Sequence, residues 1–161
     1  MAIKQKQILC QKVISGGQTG IDRGALDACL KEDFPCGGWC PAGRLAEDGI
    51  IHKKYPLLET NTPRYNERTL KNIMDSDGTL IISTMPITGG TKLTADLSFR
   101  YKKPFLIISS TKSLISTVNW LFDNNIKILN VAGPRESEWP GATFISYHLI
   151  RKLIKHIRKN I

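Results

Sequence analysis

Two short stretches set polar side chains around bare backbone: GGQTGIDR, Gly16 to Arg23, and GGTKLT, Gly89 to Thr94. Each follows an apolar run and opens a helical pattern. Glycine at such a junction lets a ligand approach the main chain closely. The unpaired N–H groups and positive dipole end of the helix then favour an anion, most often phosphate. In the first stretch Gly16, Gly17 and Gly20 surround Gln18 and Thr19, and Arg23 stands one turn into the helix, placed to pair with a phosphate. Asp22 beside it either orients that arginine or favours the helix N-terminus. In the second, Gly89 and Gly90 lead to the hydroxyls of Thr91 and Thr94, which either donate to an anion or cap the helix. Neither stretch is a G-x-G-x-x-G fingerprint or a P-loop. The alternative is that the glycines only make tight strand-to-helix turns.

A third set lies in CPAGRLAEDG, Cys40 to Gly49. Arg44 can hold an anion or stack on a planar heterocycle, and Glu47 and Asp48 can accept from ring N–H and amino groups. The competing reading is a surface turn with exposed charges. Trp39 is either a stacking wall or a core residue, and core is preferred. Cys10, Cys29, Cys36 and Cys40 have no Cys-x-x-Cys spacing and no second metal-ligand pair, so reduced structural cysteines are expected and no metal site.

These groups have to be positioned by strands alternating with helices. KVISGG reads as a strand, Gly20 to Lys31 as a helix, and PCGGWC as a weak second strand. A Gly/Pro-rich connection to Arg64 follows, long enough to suggest function. YNERTLKNIMDSDG reads as a helix, TLIIST as a strand buried on both faces, and GGTKLTADLSFRYKK as a helix. PFLIIS reads as another buried strand, STKSLISTVNWLFDNN as a helix, IKILNVAG as the last strand and the basic tail as a helix. The alternation predicts one α/β domain over residues 1–161, Rossmann-like and doubly wound, with a mostly parallel sheet and helices on both faces. Both glycine loops then fall at the carboxyl edge of the sheet, where such folds bind ligands.

Of 161 residues 41% are hydrophobic and 23% charged, a globular balance, and no apolar run approaches the roughly 20 residues of a membrane span. The N-terminus has no secretory pattern, so a cytoplasmic location without membrane attachment is expected. Net charge is +9, partly from YHLIRKLIKHIRKNI, which places Ile150, Leu153 or Ile154, Ile157 and Ile161 on one helical stripe. That is either a docked helix with a solvated basic face or an attractive field for an anion. No nucleic-acid motif accompanies the charge, and a nucleic-acid partner is not expected.

With these residues in view, the chain resembles the molybdenum cofactor carrier proteins. The matching segments are GGQTGIDRGALDA, GGWCPAGRLAEDG, YPLLET, YNERTLKNIMDSDGTLI and GGTKLT, dense over Val13 to Pro104. Ile21, usually alanine, and Ala42, often basic, depart from the pattern. The resemblance implies a Rossmann-like fold in the superfamily that includes the LOG-type phosphoribohydrolases. It also implies a homo-oligomer, dimer or tetramer, that binds molybdenum cofactor (molybdopterin) and exchanges it with molybdoenzymes or cofactor-synthesis proteins. The pterin phosphate would lie on the glycine loops, the pterin against the long loop, and the cofactor's own sulfurs would hold the metal. The phosphoribohydrolases carry P-G-G-x-G-T-x-x-E; here TGGTKLTAD fits Thr91 to the threonine and puts Thr94 where the catalytic glutamate would stand. No catalytic residue is therefore expected. The alternative is a nucleotide-derived ligand, bound by a sensor or turned over by a phosphoribohydrolase-like enzyme.

Overall fold

The structure is a computed structural model and describes residues 9–109 and 113–160. Its elements run β1 (Lys12–Ile14), α1 (Ile21–Lys31), β2 (Cys36–Gly37), β3 (Trp39–Cys40), β4 (Leu45–Ala46), β5 (Gly49–Ile50), β6 (Leu58–Glu59), α2 (Tyr65–Asp75), β7 (Gly78–Ile82), α3 (Gly89–Arg100), β8 (Phe105–Ile108), α4 (Leu114–Asp123), β9 (Ile128–Ala132) and α5 (Ala142–Lys159). Five strands form one parallel sheet in the order β2-β1-β9-β7-β8. This is the Rossmann-like α/β arrangement with helices on both faces.

The last strand of the chain, β9, lies between β1 and β7. Asp77, just before β7, holds β9 there: its Oδ2 accepts the N–H of Lys127 at 3.0 Å and of Ile128 at 2.8 Å. Successive side chains of a strand point to opposite faces. Leu80, Ile82, Leu129 and Val131 accordingly enter the main core with Ile21, Ala25 and Cys29 of α1, Leu121 of α4 and Leu149 to Ile157 of α5. α2 and α3 pack against each other beside β7 and β9.

β7 is buried throughout, as its unbroken apolar run requires. β8 is not: it is the sheet edge, and Phe105, Leu106 and Ile107 are only half-buried. An apolar run cannot by itself distinguish a central strand from an edge strand. PCGGWC divides into β2, which joins the main sheet, and β3, which pairs with β6 in a separate two-stranded ribbon. The long connection holds a small hairpin, β4 with β5. Trp39 lies outside both core clusters: its Nε1–H donates to Asp75 at 2.7 Å and Lys71 Nζ stands 4.2 Å from its ring centroid.

Ile150, Leu153, Ile154 and Ile157 are buried as a stripe of α5, and Ile161 lies outside the described residues. Part of the basic charge of α5 serves α1: Arg151 pairs with Glu32 at 2.6 Å, and Arg158 donates to the carbonyls of Glu32 and Asp33. Cations at a helix C-terminus are favourable there. All four cysteines are free thiols, and among the described residues no three His, Cys, Asp or Glu side chains gather to hold a metal. Among the described residues no helix is long and apolar enough to cross a membrane.

Candidate functional site

The chain turns after β1, β7 and β9 converge on one cleft at the carboxyl edge of the three central strands. Gly16, Gln18 and Asp22 come from the first turn, and Gly90, Thr91 and Thr94 from the start of α3. Gly133, Arg135 and Glu138 follow β9, and Tyr65, Arg68 and Asn72 reach in from α2. The cavity measures about 80 Å³, room for roughly three waters. A phosphoryl group fits inside, and anything larger must extend through the mouth.

The start of α3 opens onto this cleft. A helix leaves its first N–H groups without intrahelical partners. Here no side chain caps them, and a Cβ built on Gly89 or Gly90 meets nothing within 4 Å. Thr94 does not contribute a hydroxyl, because its Oγ1–H donates to the Gly90 carbonyl at 2.9 Å. Thr91 is buried on the cleft wall and, among the described residues, its hydroxyl has no partner.

Gln18 lines the same cleft from the first turn. The residue is 5% exposed, and its Oε1 accepts the backbone N–H of Thr19 at 3.0 Å and of Glu47 at 2.9 Å. Two N–H donors on one oxygen fix which way the carboxamide points. Its Nε2 is buried without a hydrogen-bond partner among the described residues. Native interiors rarely leave a buried donor unpaired, so this one calls for an acceptor.

Arg68 and Arg135 supply the charge. Their guanidinium carbons stand 5.4 and 5.6 Å from the ring centroid of Tyr65, which is 38% exposed at the mouth. Arg68 Nη1–H donates to the Gly16 carbonyl at 2.8 Å, and Arg135 Nε lies 3.2 Å from Glu138. Asp22 faces Arg68 at 3.5 Å rather than orienting Arg23. Burial raises the Asp22 carboxyl above the ordinary aspartate range, and Arg68 opposes that rise.

The start of α1, the other expected anion site, is covered by protein. Ile21 N–H donates to the Pro134 carbonyl at 3.2 Å and Gly20 N–H to Thr143 Oγ1 at 3.1 Å. Thr19 Oγ1–H donates to Glu47, which also accepts from Ser137 Oγ–H and N–H. These hydroxyls hold the Glu47 carboxyl below the usual range. Arg23 is paired in a fork with Asp48 at 2.8 and 3.1 Å and donates to the Gly17 carbonyl at 3.1 Å. Those hydrogen bonds hold the Asp48 carboxyl low as well. Thr19, Arg23, Glu47 and Asp48 thus line a second depression with Glu136, where carboxylates outnumber the one arginine. Gly17 and Gly20 line neither depression.

Arg44 is engaged inside its own loop. Its guanidinium donates to the carbonyls of Ile51, His52, Tyr55 and Leu57 at 2.9–3.2 Å. Arg44→Ala removes four hydrogen bonds that close the 44–57 loop, at a net cost of about 2–4 kcal/mol. Its expected signature is a clear loss of thermal stability with phosphate affinity changed less than twofold. A tenfold loss of affinity at unchanged stability would return Arg44 to the ligand site.

Sequence reasoning missed Arg68, Arg135 and Tyr65. Arg135 carries a signal, since GPRE directly follows β9 at the same carboxyl edge as the two glycine loops. Arg68 and Tyr65 carry none, because their position depends on how α2 packs.

A model of the circularly permuted YpsA branch of the SLOG family matches residues 13–154. Among solved structures, the chain is similar to a protein of Syntrophus aciditrophicus SB named "Putative molybdenum carrier protein". The two share 42% sequence identity over 91% of this chain and 96% of that one, with a TM-score of 0.88. No curated protein matches.

Proposed function

The chain belongs to the circularly permuted YpsA branch of the SLOG family, and from that premise we propose that it binds and carries or stores molybdenum cofactor by its phosphate. The buried Gln18 Nε2, without a partner among the described residues, on a side chain that lines the same cleft as the start of α3, carries this reading. Together with Gly90, Thr91, Arg68 and Arg135 it gives the phosphoryl oxygens donors from several directions. The cavity is too small for a pterin, which would lie at the mouth against Tyr65, where a planar ring can stack on the aromatic and guanidinium faces. Molybdenum comes with the ligand, on the ligand's own sulfurs. The name of the similar Syntrophus protein supports the choice of cargo.

The role is carriage rather than catalysis. Thr94 stands where phosphoribohydrolases place glutamate and its hydroxyl is engaged; Asp96 is turned to solvent in an ion pair with Lys92. Glu47 and Asp48 are held by their own partners away from the cleft. The carrier acts in the cytoplasm as a homo-oligomer that receives the cofactor from its synthesis and passes it to molybdoenzymes.

The second reading is a nucleotide-derived ligand, favoured by the same pairing of phosphoryl cavity and ring platform. Mass spectrometry and molybdenum analysis of the purified protein separate the two. The expected result is a pterin phosphate with molybdenum, and no free base released from nucleoside monophosphates. A co-purifying nucleotide, or base release above background, overturns the carrier reading. Arg135→Ala is expected to weaken phosphate binding about tenfold or more, the scale of one charge-assisted hydrogen bond, with little change in stability. Unchanged affinity by titration would remove Arg135 from the site.

A further inference from the structure

Asp22 is a carboxyl in the wall of a cleft that also holds Arg68, Arg135 and Glu138, the last paired with Arg135. The Asp22 side chain is 8% exposed. Its Oδ2 accepts a long hydrogen bond, 3.3 Å, from the Gln18 backbone N–H and lies 3.5 Å from Arg68 Nη1. That arginine directs its shorter bond to the Gly16 carbonyl, so it neutralises Asp22 only at a distance. Ser15, the neighbouring hydroxyl, donates to the Val131 carbonyl at 2.8 Å.

Charged groups surround Asp22 from several elements. Arg68 faces it from α2, Arg23 acts from its own helix, and Arg135 and Glu138 stand across the cleft in the β9–α5 connection. α3 presents backbone N–H groups and the Thr91 hydroxyl, its Lys92 being paired outward with Asp96. An oxyanion drawn in by Gln18, Arg68 and Arg135 therefore meets a carboxyl whose ionised form can only accept. Two groups of oxygen acceptors at close range need a proton between them.

We infer that Asp22 and the bound oxyanion share one proton, which makes Asp22 a ligand-contacting residue that selects for oxyanions able to supply it. The inference rests on the reading of the cleft as a phosphoryl site. Inorganic phosphate keeps a P–OH across the neutral range and can donate it to the Asp22 carboxylate. A phosphomonoester, whose second pKa is about 6, brings the proton in mildly acid solution and takes one up on binding above that. Sulfate has no proton to give, so it binds only when Asp22 is itself protonated. The burial that already disfavours ionised Asp22 works in the same direction.

The test is calorimetric titration of inorganic phosphate and of sulfate from roughly pH 5.5 to 8.5, on the wild type and on Asp22→Asn. Sulfate binding to the wild type should weaken by up to about tenfold per pH unit above the Asp22 titration, the limit set by one linked proton. Phosphate should hold at least a tenfold preference over sulfate at the alkaline end. Asp22→Asn keeps an acceptor for the Gln18 N–H and should bind sulfate with no pH dependence and no preference for phosphate. Wild-type titrations in buffers of different ionisation enthalpy count the proton directly and do not depend on the variant folding. Sulfate binding that is flat with pH and takes up no proton, or equal affinities for the two anions at the alkaline end, overturns the inference. If neither anion binds the wild type at all, the phosphoryl reading of the cleft fails first and the inference falls with it.

Discussion

Gly20→Ala is expected to destabilise the fold by about 3–5 kcal/mol, a large part of the 5–15 kcal/mol typical of a domain. Gly20 sits at φ 80° and ψ −131°, a backbone conformation that side chains disfavour strongly. A Cβ there would lie 2.3 Å from the Pro134 carbonyl oxygen and 2.7 Å from the Arg135 carbonyl carbon and the Glu136 nitrogen. All three are backbone atoms, so relief requires moving the connection between β9 and α5. That connection is tied down by Glu136, which accepts the N–H groups of Gly141 and Thr143, and by Ser137 on Glu47. At about 2–4 °C per kcal/mol for a chain of this size, the melting temperature should fall by roughly 10 °C or more. Gly90→Ala is the comparison, because a Cβ there meets nothing within 4 Å and the position is helical without a positive φ, so stability should hold or rise by up to about 1 kcal/mol. Equal melting temperatures for Gly20→Ala and the wild type would mean that the two connections are not packed as described.

Gln18→Glu is expected to weaken phosphate binding about 100-fold while leaving the protein folded. Glutamate keeps an oxygen for the N–H groups of Thr19 and Glu47, so the loop retains both hydrogen bonds. What changes is the other arm, where an unpartnered N–H donor becomes an acceptor with negative charge. Loss of a hydrogen bond to a charged group costs about 1.5–3 kcal/mol, and repulsion of the anion adds to it. Every 1.4 kcal/mol is about tenfold in affinity, which gives the stated factor. Protonating the new carboxyl restores a donor, so the loss should shrink as the pH is lowered. Titration at two pH values, with a thermal melt to establish folding, reads all of this. A folded Gln18→Glu protein that binds phosphate as the wild type does would show that Nε2 does not face the ligand.

The two substitutions separate parts of the molecule that look alike as sequence. Gly20 and Gly90 both stand at a strand-to-helix junction with a threonine neighbour, at Thr19 and Thr91. At Gly90 the space in front of the helix is open, and at Gly20 it is filled by the chain after β9. The positions of β1, α1, α2, β7 and α3 were legible because strands and helices announce themselves by local periodicity and by the glycines that end them. The edge position of β8 and the outward place of Trp39 were not, because an apolar side chain does not state what covers it.

The same division runs through the site. Composition and spacing alone determined a Rossmann-like α/β chain with glycine junctions at the carboxyl edge of its sheet, because the strands, the helices and the glycines between them are each marked by residues within a few positions of one another. Only the tertiary structure decided which arginines reach the cleft. Arg23 and Arg44 stood in the conspicuous motifs, yet Asp48 and four loop carbonyls hold them. Arg68 and Arg135, far apart in the chain, meet over one tyrosine. The reason is physical: a guanidinium can fork onto any carboxylate or carbonyl within about 3 Å, and which of these comes within reach is fixed by the packing of segments distant in sequence. The insertion of β9 between β1 and β7 brings its loop over the start of α1, blocks one helix terminus, and leaves the other open on the cleft that Gln18 also lines.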